Sequence, residues 1–113
     1  MFTPTTSWAW LQAGAAQWFS GQTAYARPAI ARRLREGPEP DFPPGVRDAH
    51  LLGGTVFDLL AREEGEGACV HLACDLPPGG ADEALRRAFH GRPLRHTEST
   101  WRAHLARTAQ AHP

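Results

Sequence analysis

The amino-acid sequence predicts an all-α fold, a compact bundle of five or six short helices. Apolar residues recur at spacings of three and four along most of the 113 residues, which is the pattern of amphipathic helices. Glycine and proline interrupt these runs at positions where helices end or begin. The length suits a single domain, residues 1–113, in which a proline-rich linker spans residues 37–45.

The first predicted helix, Ser7–Gln22, organises the fold. Thr5, Thr6 and Ser7 offer hydroxyls for capping its start, and Gly21 stands where the helix would stop. One face carries the residues expected in the core, which are Trp8, Leu11, Ala15, Trp18 and Phe19. The opposite face is our candidate interface and consists of Trp10, Ala13, Gly14 and Gln17. A large aromatic beside small residues suits close packing against another helix or the floor of a groove.

Five further helices are predicted downstream, at Pro28–Glu36, Val46–Glu64, Ala68–Cys74, Asp82–His90 and from Pro93 onward. The segment ACVHLAC at 68–74 also fits a strand, but no second strand is evident for it to pair with. The Gly53-Gly54 pair inside the longest of these helices predicts that another helix passes very close there, since glycine otherwise destabilises a helix. Pro77 to Gly80 predicts a turn.

Composition and charge narrow the function classes. All twelve basic residues are arginine, a bias that we attribute to a GC-rich bacterial genome. The formal net charge is zero, although residues 81–113 hold six arginines against three acidic residues, so a nucleic-acid partner is not favoured. No apolar run approaches a membrane span, and the N-terminus shows no basic segment followed by an apolar one. We therefore expect no membrane association and a cytoplasmic location.

The two cysteines, Cys69 and Cys74, lie five residues apart in one predicted helix and point to different sides of it. A mutual disulfide is therefore not expected. Together with His71 they offer three potential ligands, but a structural zinc site needs four. Two ordinary free thiols are the better interpretation.

The first helix resembles the glutamate-bearing helix of the gluzincin zinc metallopeptidases, the peptidase MA-like group. The matching residues are Trp10, Leu11, Gly14, Ala16, Trp18 and Phe19. Weaker matches to the helical part that follows in that family are Ala84, Leu85, Ala88, Phe89, Gly91, Leu94, Trp101, Arg102 and Leu105. The chain departs from the pattern at Ala13, where the family has the glutamate that binds zinc. The resemblance thus implies the packing of that family without its third metal ligand.

The rest of the metallopeptidase chemistry is also missing from the sequence. A gluzincin needs two histidines one helical turn apart with a glutamate between them, and no two of the six histidines here are four residues apart. The serines and the carboxylates near Glu63 show no catalytic context either. We expect no catalytic residue, no metal and no cofactor, and the chain is not predicted to be an enzyme by itself.

Two functional classes remain open. The first is a non-catalytic metallopeptidase-like module that binds or scaffolds a protein partner or a second copy, or completes a partner chain, through the Trp10 face. The second is a small DNA-binding regulator, with residues 82–90 and 93–109 as a helix-turn-helix and with Arg95, Arg102 and Arg107 towards phosphate. A truncated gene remnant without a function is a third alternative.

Overall fold

A computed structural model describes residues 4–74 and 80–110 of the chain. The described residues form α-helices and no strand, so the predicted all-α fold is confirmed. The helices are α1 (Pro4–Phe19), α2 (Gln22–Tyr25), α3 (Arg27–Glu36), α4 (Ala49–Glu64), α5 (Glu66–Cys74), α6 (Gly80–Ala88) and α7 (Leu94–Gln110), with a 3-10 turn at Val46–Asp48. Their number exceeds the predicted five or six because α2, a single turn, separates α1 from α3.

Most predicted helix positions agree with the structure, and the start of the first helix differs. Helix α1 begins at Pro4, so Thr5, Thr6 and Ser7 lie within the helix and not before its first residue. It ends at Phe19, just before Gly21, whose positive φ of 81° turns the chain into α2. Segment 68–74 belongs to helix α5, as predicted. Of the turn predicted at Pro77 to Gly80, all but Gly80 lies outside the described residues.

Helices α1 and α4 form the most extensive contact of the fold, and their backbones meet at two glycines. A Cβ added to Gly14 would lie 2.5 Å from the carbonyl carbon of Gly53, and one added to Gly53 would lie 2.6 Å from the Trp10 carbonyl oxygen. Gly54 faces the Thr23 side chain in the same region. The close approach predicted from the Gly53-Gly54 pair is confirmed, and α1 is the helix that makes it.

Aromatic side chains fill the core around this crossing. Trp10 is 2 % exposed, and its ring lies 6.4 Å from that of the fully buried Phe57. Trp18, two turns further along α1, stacks on the same Phe57 ring at 6.5 Å. Phe19, which was expected in the core, is 49 % exposed because it stands at the last turn of α1 and contacts Phe57 with one edge.

Helix α7 is joined to α4 by buried hydrogen bonds as well as by packing. The indole N–H of Trp101, which is fully buried, donates to the Thr55 hydroxyl at 2.9 Å. One turn further along α7, Nε2 of the buried His104 lies 2.8 Å from a carboxylate oxygen of Asp58. These two contacts fix the register of α7 on α4.

The proline-rich linker between α3 and α4 is packed against the helices. Pro40 and Pro44 are buried, and the ring of Phe42 lies 5.0 Å from that of Trp101. Arg33 of α3 donates to both carboxylate oxygens of Asp48 at 2.8 and 3.0 Å, which closes the loop at its far end. The linker thus forms part of the folded body. None of the described helices combines the length and the apolar character that crossing a bilayer requires.

Candidate functional site

The candidate interface predicted on the first helix is largely occupied inside the chain. Trp10 and Gly14 are buried against α4, so the expectation of an uncovered face is corrected for these two residues. Ala13 is partly buried against the core, and Gln17 is half-buried beside Gly54. The sequence placed Trp10 on a second face, and that face is a core face too, because α1 packs against α4, α5 and α6.

We next consider metal ligands and thiols in the part of the chain that the structure describes. No three histidine, cysteine or acidic side chains there lie close enough to share a metal ion. Cys69 and Cys74 are free thiols, one buried and one exposed. Burial raises the pKa of the Cys69 thiol to about 11, with smaller contributions from the nearby Glu66 and Asp58 charges. This thiol donates to the Phe57 carbonyl oxygen at 3.2 Å and is a structural residue.

A groove of about 450 Å³ lies between α3, the proline-rich linker and α7. We call it the α3–α7 groove and define it by its lining residues, Ala31, Leu34, Arg35, Glu39, Pro40, Arg102, Leu105, Ala106 and Ala109. Its volume falls within the range of roughly 300–1,000 Å³ that ligand sites in proteins occupy. This concave surface is not filled by the chain itself.

Helical periodicity explains the apolar floor of this groove. Three lining residues of α3 lie within one turn at 31, 34 and 35, and four of α7 follow at 102, 105, 106 and 109. Leu105 and Ala31 are buried beneath the groove, while Ala106 stands exposed at its surface. Since alanine ends at its Cβ, the facing α3 and α7 surfaces leave a trough that larger side chains would fill.

The rim of the α3–α7 groove is charged, and one of its arginines is already paired. Arg102 donates from Nε and Nη2 to Glu98 on its own helix at 3.0 and 2.6 Å. Its Nη1 lies 3.3 Å from a carboxylate oxygen of Glu39, which comes from the linker. Arg35 is exposed at the opposite side, on α3. The site therefore presents two guanidinium groups beside an apolar floor.

The two helices that enclose the groove are more basic than the rest of the chain. Helices α3 and α7 together hold seven of the twelve arginines but two of the twelve acidic residues, Glu36 and Glu98. Because the whole chain is formally neutral, the remaining elements carry the compensating negative charge. An anionic partner would therefore be attracted to the α3–α7 side of the molecule.

The groove was not predicted from the sequence. The basic tail and the apolar stripe of the last helix were visible in it, but the pairing of that stripe with α3, some seventy residues earlier, is a tertiary fact. Of the arginines considered for DNA contact, Arg102 is taken up by Glu98 and Glu39, while Arg95 and Arg107 are exposed. Trp101 and Leu105 are buried, so their face of α7 belongs to the core.

Comparison with known proteins adds no relative: no protein-family model, no curated protein and no solved structure matches this chain. The α3–α7 groove is therefore the feature on which a function can be based.

Proposed function

We propose that this chain is a non-catalytic binding module that docks an acidic amphipathic helix of a partner protein in the α3–α7 groove. The observation that carries this proposal is the combination, in one open trough, of an apolar floor and two rim arginines. The proposal keeps the binding or scaffolding role expected from the sequence. It moves the binding surface away from Trp10, which is buried.

The shape of the groove favours a helix as the occupant. Its walls are formed by α3 and α7, two helices that are in contact. The small side chains of the alanines at 31, 106 and 109 allow the backbone of a docked helix to come close. Helices that bind in such grooves insert apolar side chains at spacings of three and four while their flanks stay in water. The apolar floor of Leu34 and Leu105 would receive those side chains.

The charge of the two walls favours acidic flanks on that helix. The excess of arginine on α3 and α7 would accelerate encounter with an acidic partner and disfavour a basic one. Arg35 stands at the rim as an exposed guanidinium, and this group binds carboxylates through several parallel hydrogen bonds.

We also propose that the chain is a relative of the helical part of the gluzincin metallopeptidases that has lost their chemistry. The support for this is the sequence match on α1 together with Ala13 at the ligand position, where the side chain packs against the core. In this proposal a helix that packs next to the metal in an enzyme is kept here for its packing alone.

The test uses a designed probe and a matched pair of variants. The probe is a fluorescein-labelled peptide of about four helical turns, with leucines along one face and glutamates on both flanks. Ala106→Glu places a carboxylate in the groove, whereas Ala103→Glu adds the same charge to an exposed site of the same helix outside it. Fluorescence anisotropy measures the affinity of the full chain and of each variant for the peptide.

We expect the parent chain and Ala103→Glu to bind the peptide with similar affinity, and Ala106→Glu to bind about tenfold more weakly or worse, because its carboxylate is desolvated and faces the glutamates. A peptide with lysine in place of glutamate should not bind. Equal weakening by the two variants would place the binding elsewhere. Absence of binding to the parent chain would reject the proposed function.

A further inference from the structure

The linker residue Glu39 already supplies a carboxylate at the rim of the α3–α7 groove. Its Oε2 atom lies 3.3 Å from Nη1 of Arg102, and its side chain is 74 % exposed. Arg102 is 28 % exposed, so it is the better fixed of the two partners. The same guanidinium is oriented from behind by Glu98, which accepts hydrogen bonds from Nε and Nη2. Nη1 therefore faces the groove with a carboxylate on it.

The backbone around Glu39 is held in place by contacts on both sides. Arg33 donates from Nη1 to the Pro38 carbonyl oxygen at 2.7 Å, and the next proline, Pro40, is buried. Phe42 anchors the linker further along by packing on Trp101. A residue flanked by two fixed prolines has little backbone freedom, so its carboxylate stays near Arg102 without being buried.

We infer that Glu39 is a built-in competitor, whose carboxylate occupies the position that an acidic side chain of the partner helix takes on Arg102. This inference rests on the proposed function and names the residues that set its specificity. The partner's carboxylate displaces Glu39 from Nη1, while Glu98 keeps the guanidinium aligned. Arg102 then anchors the acidic flank of the partner, and Arg35 contacts the other flank across the groove.

The exposure of Glu39 makes such an exchange feasible. An ion pair whose carboxylate is as exposed as that of Glu39 contributes little to stability, so a competing carboxylate on a docked helix overcomes it. The pair with Glu98 is different, because two hydrogen bonds within one helix hold it. Displacement of Glu39 leaves its carboxylate in water and creates no buried unpaired charge.

The experiment compares two substitutions that remove the same charge. Glu39→Gln removes the competing carboxylate from the groove, and Glu36→Gln removes one from the end of α3, where it pairs with Arg32 outside the groove. Both raise the net charge by one, so a general electrostatic effect would appear in both. The probe is the same acidic peptide, measured by anisotropy against the full chain.

We expect Glu39→Gln to bind the peptide about two- to fivefold more tightly than the parent chain, and Glu36→Gln to bind like the parent. Equal affinities for the parent and Glu39→Gln, with Ala106→Glu still blocking the peptide, would overturn the inference and leave the proposed function standing. Equal tightening in both glutamine variants would also overturn it. Absence of binding in every variant would reject the inference and the proposed function together.

Discussion

Gly14 of α1 and Gly53 of α4 approach so closely that neither position has room for a side chain. A Cβ on Gly14 would meet the carbonyl carbon and oxygen of Gly53 at 2.5 and 2.6 Å, and the atoms that it meets belong to the backbone of a helix. Such atoms cannot move aside as a flexible side chain can. The contact between α1 and α4 therefore sets the distance between the two helices that share the most extensive contact of the fold.

The substitution Gly14→Ala should destabilise the protein by about 1–3 kcal/mol or more, because α1 and α4 must separate to admit the methyl group. Gly67→Ala is the control, since Gly67 is exposed in α5 and a Cβ there meets nothing within 4 Å. It should be neutral or stabilising by up to about 1 kcal/mol. Urea denaturation of the three proteins measures the free energies of unfolding, and an unchanged value for Gly14→Ala would contradict the packing described.

Thr55 connects Trp101 to the backbone of α4 in the centre of the fold. Its hydroxyl accepts the indole N–H of Trp101 at 2.9 Å and donates to the Leu52 carbonyl oxygen. The substitution Thr55→Val keeps the shape but leaves a buried N–H without an acceptor. We expect a loss of about 1–3 kcal/mol in the free energy of unfolding.

The control for Thr55→Val is Thr100→Val on α7, where the hydroxyl donates to the His96 carbonyl oxygen at the exposed surface. This variant should stay within about 0.5 kcal/mol of the parent. Equal effects of the two substitutions in chemical denaturation would mean that the buried hydrogen bond contributes nothing specific.

The lowered pKa of Asp58 leads us to expect that the free energy of unfolding depends on pH in the acid range. The hydrogen bond from His104 lowers the pKa of the Asp58 carboxyl below its usual value of 3.8, with smaller help from Trp18 and Arg62 and against the effect of burial. Because the pKa of this carboxyl is lower in the folded state than in the unfolded state, the ionised carboxylate stabilises the fold fully at pH values above the unfolded-state pKa. The stabilisation is lost as the pH falls through the folded-state pKa. The loss is therefore expected below about pH 4.

Asp58→Asn should remove this part of the pH dependence. Its free energy of unfolding is expected to fall less between about pH 6 and pH 3 than that of the parent chain, because the asparagine does not titrate. Urea denaturation at several pH values gives the two curves. If the free energy of unfolding falls equally steeply with decreasing pH in Asp58→Asn and in the parent chain, the pair between Asp58 and His104 does not stabilise the fold.

The substitution Ala13→Glu tests whether the proposed likeness to the gluzincins extends to zinc binding. It introduces on α1 the glutamate of the resembled family, but the described residues bring no three potential ligands together for it to join. We expect the purified variant to carry no stoichiometric zinc by elemental analysis after dialysis against zinc-free buffer. One tightly bound zinc ion per chain would show that ligands elsewhere in the chain had been overlooked.

Glycine, proline and apolar periodicity predicted where the helices lie, but not which of their faces are buried. Glycine and proline mark the ends of α3 and α4 in the sequence. The Gly53-Gly54 pair correctly predicted the close approach of a second helix. The sequence left open whether the Trp10 face packs against another helix or floors a groove, and the structure shows that it packs against α4. Phe19 was assigned to the core because periodicity does not tell where a helix loses its neighbours.

The groove was beyond sequence reasoning for a related reason. Its lining includes small residues such as Ala31 and Ala106, whose positions in the sequence do not indicate a groove. The linker residues Glu39 and Pro40 were assigned to a plain connection, whereas the structure packs that connection against Trp101 through Phe42. The residues that line the groove come together only because α3 and α7 are in contact in the folded chain.

The most direct test of the proposed binding role is an amide-resolved NMR titration of the full chain with the acidic helical peptide. The account predicts that the largest shift changes fall on residues lining the groove, at Ala31, Leu34, Arg35, Ala106 and Ala109. They should be smaller in Ala106→Glu at the same peptide concentration and weaker at high salt, since the rim contacts are ionic. Shift changes confined to α1 or α5, or none at all, would contradict the proposal that the α3–α7 groove is the binding site.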